Sequence, residues 1–333
     1  MNITVSREIL STSIQATGRL QRFYETVLLP RILYIRSDEV RFQRRGFSEK
    51  SGPRVNHLEH IGANFLKGFQ LAARWQGSLD DLADQLNRIP SPFRGFAFEG
   101  CAMALALRDA LSVDQKLWHR FVTSAGASHI YVGYVGRGWA IARLPFVNIE
   151  AVVLRGHGPF EWLLMDGYGF HQGYFHCQKY ITAQRQPHFQ TPEAADVFDQ
   201  GLGRALWFFA SGSINTTQSR LQCFSPSRRN HLWSGVGLAS AYAGTGDTKP
   251  IMAELLCKAG IHRQAFLQGV AFAAKALTKG EMPVSDLDDD LKLALGTSCA
   301  ELAQITDEAL VESGVLEDPS RYHAWRALIM RHF

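Results

Sequence analysis

Six times along the chain, and more faintly a seventh, a glycine is followed four residues later by a small residue. The pairs are Gly68/Ala72, Gly100/Ala104, Gly136/Ala140, Gly173/Cys177, Gly201/Ala205, Gly235/Ala239 and Gly269/Ala273, the Cys177 pair being the faint one. Consecutive glycines stand 32, 36, 37, 28, 34 and 34 residues apart. A period near 34 is the mark of stacked helical pairs, because one pair cannot bury its apolar face without neighbours. Small residues at i and i+4 share a helix face and let a second backbone approach, at a cost of about 1 kcal/mol per helical glycine. The spacing therefore predicts an all-α chain: an array of helical hairpins, about seven repeats, curved into a superhelix or an α/α barrel.

The bulk of the sequence fits a folded domain. Of its 333 residues 46% are hydrophobic and 20% charged, a globular balance. The net charge of +4 is too small to argue for nucleic acid, and only Arg31, Arg36, Arg41, Arg44 and Arg45 form even a loose basic series. Cys101, Cys177, Cys223, Cys257 and Cys299 are isolated and odd in number, which points to a reduced, cytoplasmic protein without disulfides or a thiolate zinc site. No segment approaches the ~18 apolar residues of a membrane span, and the first residues lack a signal-peptide core.

Residues 1–45 read as a lead-in arm before a single helical-repeat domain, 46–333. In the arm, an amphipathic stretch from Ile9 to Leu29 is expected to stop at Pro30, and Val40-Arg41-Phe42-Gln43-Arg44 alternates like an extended strand. Partner helices follow the glycine helices: Ser78 caps one over Leu82 and Leu86, Ser112 opens Val113 to Val122, and Thr191-Pro192-Glu193 opens another. Ile130 to Val135 and Ile149 to Leu154 are apolar runs that suit either short strands or buried helix termini.

The period also allows columns to be compared. With the glycine at zero, position −1 is Lys67, Glu99, Val135, Gln172, Gln200, Ser234 or Gln268, polar in six of seven. Position +3 is Leu71, Met103, Trp139, His176, Arg204, Leu238 or Phe272, and +7 is Trp75, Leu107, Arg143, Tyr180, Phe208, Tyr242 or Ala276. These positions form one helical stripe that mixes aromatics with Glu99, Arg143, His176 and Arg204, as an inner ligand-lining surface would; a partly buried face serving loops is the alternative.

Several blocks carry a resemblance: FRGFAFEGCAMALALRD (Phe93–Asp109), YVGRGWAIARL (Tyr134–Leu144), LMDGYGFHQGYFH (Leu164–His176), FDQGLGRALWF (Phe198–Phe208), RNHLWSGVGLASAYAG (Arg229–Gly244) and QGVAFAAKA (Gln268–Ala276). Together the chain resembles a bacterial family of unknown function found among the accessory genes of enediyne-type and related natural-product pathways. The resemblance implies a biosynthetic context and carries no catalytic residues across.

Candidate chemistry rests on a few side chains. Glu99 lies in the apolar run Phe96 to Leu107, where it is either an acid or the partner of Arg204, Arg143 or Arg229. Asp166 sits on a packing face if its helix runs unbroken from Glu161, and is a cap if the helix breaks at Asp166-Gly167. Glu99, Asp166 and His176 are the candidate catalytic residues, with Trp139, Arg143, Arg204, Trp207 and Trp233 as substrate-binding residues. Asp286-Leu287-Asp288-Asp289 and Asp80-Asp81-Leu82-Ala83-Asp84 match terpene-cyclase acidic motifs, but both also suit capped first turns. His171 and His176 miss the i, i+4 metal spacing, and no phosphate loop, dinucleotide fingerprint or nucleophile elbow is present, so no metal or cofactor is expected. The favoured expectation is a cofactor-independent cyclase, isomerase or lyase acting on a hydrophobic, polyene-like substrate. The alternatives are a non-catalytic helical scaffold or carrier for a biosynthetic partner protein, and a terpene-cyclase-like enzyme using residues 286–290.

Overall fold

A computed structural model describes residues 24–112, 116–246, 250–314 and 321–333. Among these residues there are 17 α-helices and no strand. The principal ones are α1 (Pro53–Ala73), α2 (Ser91–Leu111), α3 (Ile130–Ile141), α4 (Trp162–Phe175), α5 (Pro192–Phe209), α6 (Pro226–Ala243), α7 (Arg263–Lys279), α8 (Cys299–Glu312) and α9 (Arg321–Arg331). Shorter helices such as Leu79–Asn87, Ile214–Cys223 and Met252–Ala259 join the long ones. Prolines at the first turn begin α1, α2, α5 and α6, where a missing N–H costs nothing. The Ser78, Thr191 and Ser213 side chains accept from backbone N–H groups three residues on, and Ser298 with Glu301 forms a complete capping box.

Each helix from α1 to α8 packs on the next in chain order. The glycines explain how closely. A Cβ on Gly136, Gly167, Gly201, Gly235 or Gly269 would lie 1.9–2.3 Å from a carbonyl oxygen one helix back: those of Glu99, Val135, Asp166, Gln200 and Ser234 in turn. A second glycine two residues on, as in Gly201-Leu202-Gly203, meets the following helix in the same way; Gly203 would set a Cβ 2.1 Å from Leu232 O. Backbone cannot rotate aside as a side chain can, so only glycine permits this spacing. The row also turns back on itself. His57 Nε2 of α1 lies 2.7 Å from the Ala243 carbonyl at the end of α6, and Phe96 of α2 packs on Tyr242 with ring centroids 5.0 Å apart.

Four expectations require correction. In α4 the carbonyl-packing glycine is Gly167, not Gly173, whose Cβ would meet the side chains of Ala205 and Leu202 instead. That shifts the α4 columns by six residues, placing Asp166 at −1, Phe170 at +3 and Tyr174 at +7, and removing Gln172, His176 and Tyr180 from them. In α1 the equivalent offset is two: Gly68 meets the Ala97 carbonyl of the following helix while Gly100 meets that of Phe65, so Phe65 and not the exposed Lys67 occupies −1. Third, Val40 to Arg44 is not extended. Ser37–Val40 is a 3-10 turn and Phe42–Arg45 a single helical turn, started by the Glu59 carboxylate accepting the Phe42 N–H at 2.8 Å and holding Arg41 at 2.6 Å. The alternation records Val40 and Phe42 packing inward from that turn. Pro30 does not end a helix either, since it sits in the first turn of Leu29–Ile32. The stretch from Ile9 to residue 23, and residues 113–115 of the segment after Ser112, lie outside the described residues. The apolar runs from Ile130 and Ile149 are both helical.

Candidate functional site

A cavity of about 540 Å³ opens where the 34–40 segment crosses the middle of α1 and the C-terminal ends of α3 and α4. Its walls are mostly apolar: Ile61, Phe65 and Leu66 from α1, Phe96 and Met103 from α2, Trp139 from α3, Phe170 and Tyr174 from α4, and Phe208 from α5. Trp139 is the centre of an aromatic box, with Phe65 and Phe170 at 4.9 Å and His171 at 5.4 Å between ring centroids. At the rim stand Tyr34, Arg36, Arg143 and His176, all exposed, together with Glu39. A concave, apolar site with few polar groups and a volume of several hundred Å³ suits a small organic ligand.

Glu99 lines this cavity and is only 1% exposed. No hydrogen bond or ion pair among the described residues reaches its carboxyl, and Oε1 is sealed with no partner. Burial pushes the Glu99 carboxyl up to about 7, with Arg204 pulling it down and Asp166 pushing it further up. The ion-pair alternative for Glu99 is therefore not what the structure shows. Arg229 binds the Phe224 and Gln222 carbonyls, Arg143 stands at the rim, and Arg204 pairs with Asp166.

Asp166 is the paired carboxylate. Helix α4 runs unbroken through it, so it is no cap, and it is fully buried behind the cavity wall, where it borders a second void of about 40 Å³. It accepts from Arg204 Nη1 and, at 2.7 Å, from Gln200 Nε2. The Arg204 guanidinium also lies over the Phe170 ring, 4.5 Å from its centroid. From Asp166 a polar row continues along the −1 positions: Gln200 donates to Tyr322 Oη at 3.0 Å, and Ser234 donates to Gln268 at 2.7 Å. These are the polar residues of the sequence column, brought into register once α4 is read from Gly167.

Of the remaining candidates, Trp139, Arg143 and His176 line the main cavity. Trp207 is fully buried and donates to the Gly244 carbonyl at 3.3 Å, while Trp233 packs edge-on against Phe266; neither lines the main cavity or the smaller void beside Asp166. Both are core residues.

His171 was missed by the sequence columns. It lines the cavity, and burial, with help from Arg143 and His176, pushes its imidazole down to about 3, so it is neutral at ordinary pH. The signal was present: His171 is the residue four after Gly167, a position held by alanine in most of the other helices.

The acidic segments lie elsewhere. Asp290 accepts the Ile251 and Met252 N–H groups at 2.8–3.2 Å, Asp288 accepts the Cys299 N–H at 2.6 Å, and Asp81 belongs to the Ser78 cap. Among the described residues no group of three or more His, Cys, Asp or Glu side chains is placed to hold a metal ion, and no helix is long and apolar enough to cross a membrane.

No curated protein and no solved structure matches the chain. The family described as "Protein of unknown function (DUF1702)" matches residues 26–333, taking in most of the arm's second half and the C-terminal helices beyond the blocks noted above. The protein belongs to the DUF1702 family.

Proposed function

We propose that this protein is an acid–base enzyme, an isomerase, cyclase or lyase, that moves a proton on an apolar, polyene-like substrate held in the main cavity. The observation that carries the proposal is Glu99, an unpartnered carboxyl on an aromatic-walled cavity whose pKa of about 7 leaves both protonation states populated at neutral pH. A general acid or base works best with its pKa near the working pH. Glu99 gives its proton to one carbon of the substrate, the faces of Trp139 and Phe170 stabilise the positive charge that develops, and the carboxylate takes a proton back from a neighbouring carbon. The proton is returned, so the step needs no electron transfer. Asp166 and Arg204 are positioning residues behind the wall: the pair keeps a buried charge field beside Glu99 without touching the substrate.

The proposal includes the wider setting: a repeat array wound into a superhelix or α/α barrel as one domain from residue 46, working in the cytoplasm of a natural-product producer of the enediyne type. The sequence blocks quoted above and the near-constant glycine spacing support it. The test is metabolite profiling of a host carrying the intact gene, a deletion or Glu99→Gln. The deletion and Glu99→Gln strains are expected to accumulate the same precursor, of equal mass to the product if the step is an isomerisation or cyclisation. Full complementation by Glu99→Gln would retire the proton chemistry and leave the cavity as that of a carrier.

A further inference from the structure

The charges at the cavity rim are unequally committed. Arg36 is held by Asp38 through two hydrogen bonds at 3.0 and 2.9 Å, and Arg44 and Arg45 both bind Glu39, at 2.6 and 2.5 Å. Arg143 lines the same rim, is exposed, and its guanidinium makes no hydrogen bond or ion pair with a described residue. The carboxylate that acts on it, Glu39, already serves two other arginines. His176 lines the same rim, its imidazole pushed down by burial and by Lys179 and Arg45, so it supplies a hydrogen bond but not a charge at neutral pH. Deeper in, Glu99 supplies the carboxyl and the rest of the lining carries no charge. Phe65, Trp139, Phe170 and Phe208 form the walls, His171 is neutral, and the Arg204 guanidinium is spent on Asp166. Among the described residues, such a cavity has one uncommitted cation at its mouth and, apart from the Glu99 carboxyl, an uncharged interior.

We propose that the ligand is an anionic amphiphile, an apolar chain bearing a carboxylate head, which lies with its head on Arg143 and its chain directed inward toward Glu99. The inference rests on the proposed function only for what happens at the inner end. A guanidinium binds a carboxylate through paired, charge-assisted hydrogen bonds, and an inverted ligand would bury its charge among aromatic rings with no counter-ion.

Binding of parinaric acid, a conjugated C18 tetraene acid whose fluorescence rises in apolar surroundings, tests this against the corresponding alcohol at pH 7 and low salt. The acid is expected to bind wild-type protein about tenfold more tightly than the alcohol, and Arg143→Met to remove that advantage while changing the alcohol's affinity less than about twofold. Arg143 is exposed and its guanidinium pairs with no described residue, so the variant is expected to fold normally, which its circular dichroism checks. Equal affinities in the wild type, an equal loss of both ligands in Arg143→Met, or no binding of either would overturn the inference. Glu99→Gln separates the two proposals: it is expected to keep the head-group preference while losing turnover. Turnover that depends on Glu99 without any head-group preference sinks the amphiphile and spares the proton chemistry.

Discussion

Replacing Gly201 by alanine puts the packing scheme under a direct load. Its Cβ would lie 1.9 Å from Asp166 O, 2.7 Å from Phe170 N and 2.8 Å from Asp166 C, all backbone atoms of α4. Relief to ordinary contact requires α4 and α5 to separate by about 1.5 Å, along a face that also carries the Arg204 and Gln200 bonds to Asp166. Overpacking of this kind costs about 3 kcal/mol or more, because the obstacle is backbone, and the gain in helix propensity from glycine to alanine returns only about 1 kcal/mol. A net loss of about 2 kcal/mol in a chain of 333 residues lowers Tm by about 3 °C. Thermal melting followed by circular dichroism reads this, with Gly133→Ala as control: there the new Cβ meets the tip of the Val122 side chain and no other residue, so the loss is expected to be smaller. Gly201→Ala as stable as the wild type, or less harmful than Gly133→Ala, would refute carbonyl-on-glycine packing as the reason for the period.

Asp166→Ala leaves the Arg204 guanidinium buried and unpaired, and is expected to lower unfolding free energy by about 3–5 kcal/mol in urea titration; a loss under 1 kcal/mol would mean that water or another group replaces the carboxylate. Asp290→Ala is expected to cost about 1–3 kcal/mol, by orphaning the Ile251 and Met252 N–H groups, and the exposed Asp286→Ala to stay within about 0.5 kcal/mol, with turnover unchanged in both. Lost turnover in a well-folded Asp286→Ala would revive the terpene-cyclase alternative. For Glu99, the folded pKa of about 7 lies above the ordinary 4.5, so its contribution to stability is whole below about 4.5 and is lost as pH rises through 7. The wild type should therefore weaken relative to Glu99→Gln by about 3 kcal/mol between pH 4.5 and 8, measured as a pH-dependent gap in urea midpoints; a constant gap would argue against the raised pKa.

The helical class and the sites of closest packing were legible because glycine spacing is a direct record of backbone approach. What the sequence concealed were offsets. In α4 two glycines, Gly167 and Gly173, compete for one column, and only the small residue four after Gly173 favoured it; Gly167 is followed by His171, which fills a position held by alanine in most of the other helices and reaches the cavity instead. The wrong choice put His176 in the inner stripe for a false reason, although it does stand at the rim. Glu99 and Trp139 were found because the glycine–alanine pairs Gly100/Ala104 and Gly136/Ala140 mark the glycines that pack on carbonyls in α2 and α3. The cover formed by residues 34–40 left no trace, since its seat on the cavity depends on Gly62 and Gln70 of α1, which meet Val40 and the Ile35 carbonyl. Tryptophan was a poor guide to lining: Trp207 and Trp233 serve the core.

Glu99 titrating near neutral pH is the claim on which the chemistry depends, and infrared difference spectroscopy reads it without knowledge of the substrate. The carbonyl stretch of a protonated carboxyl is recorded against pH for the wild type, and the Glu99→Gln spectrum is subtracted. One protonated carboxyl is predicted to persist in the difference at pH 6 and to disappear with a midpoint near 7. A difference that vanishes near the ordinary carboxyl value of about 4.3 would contradict the account, because Glu99 would then be a carboxylate at neutral pH with no proton to give.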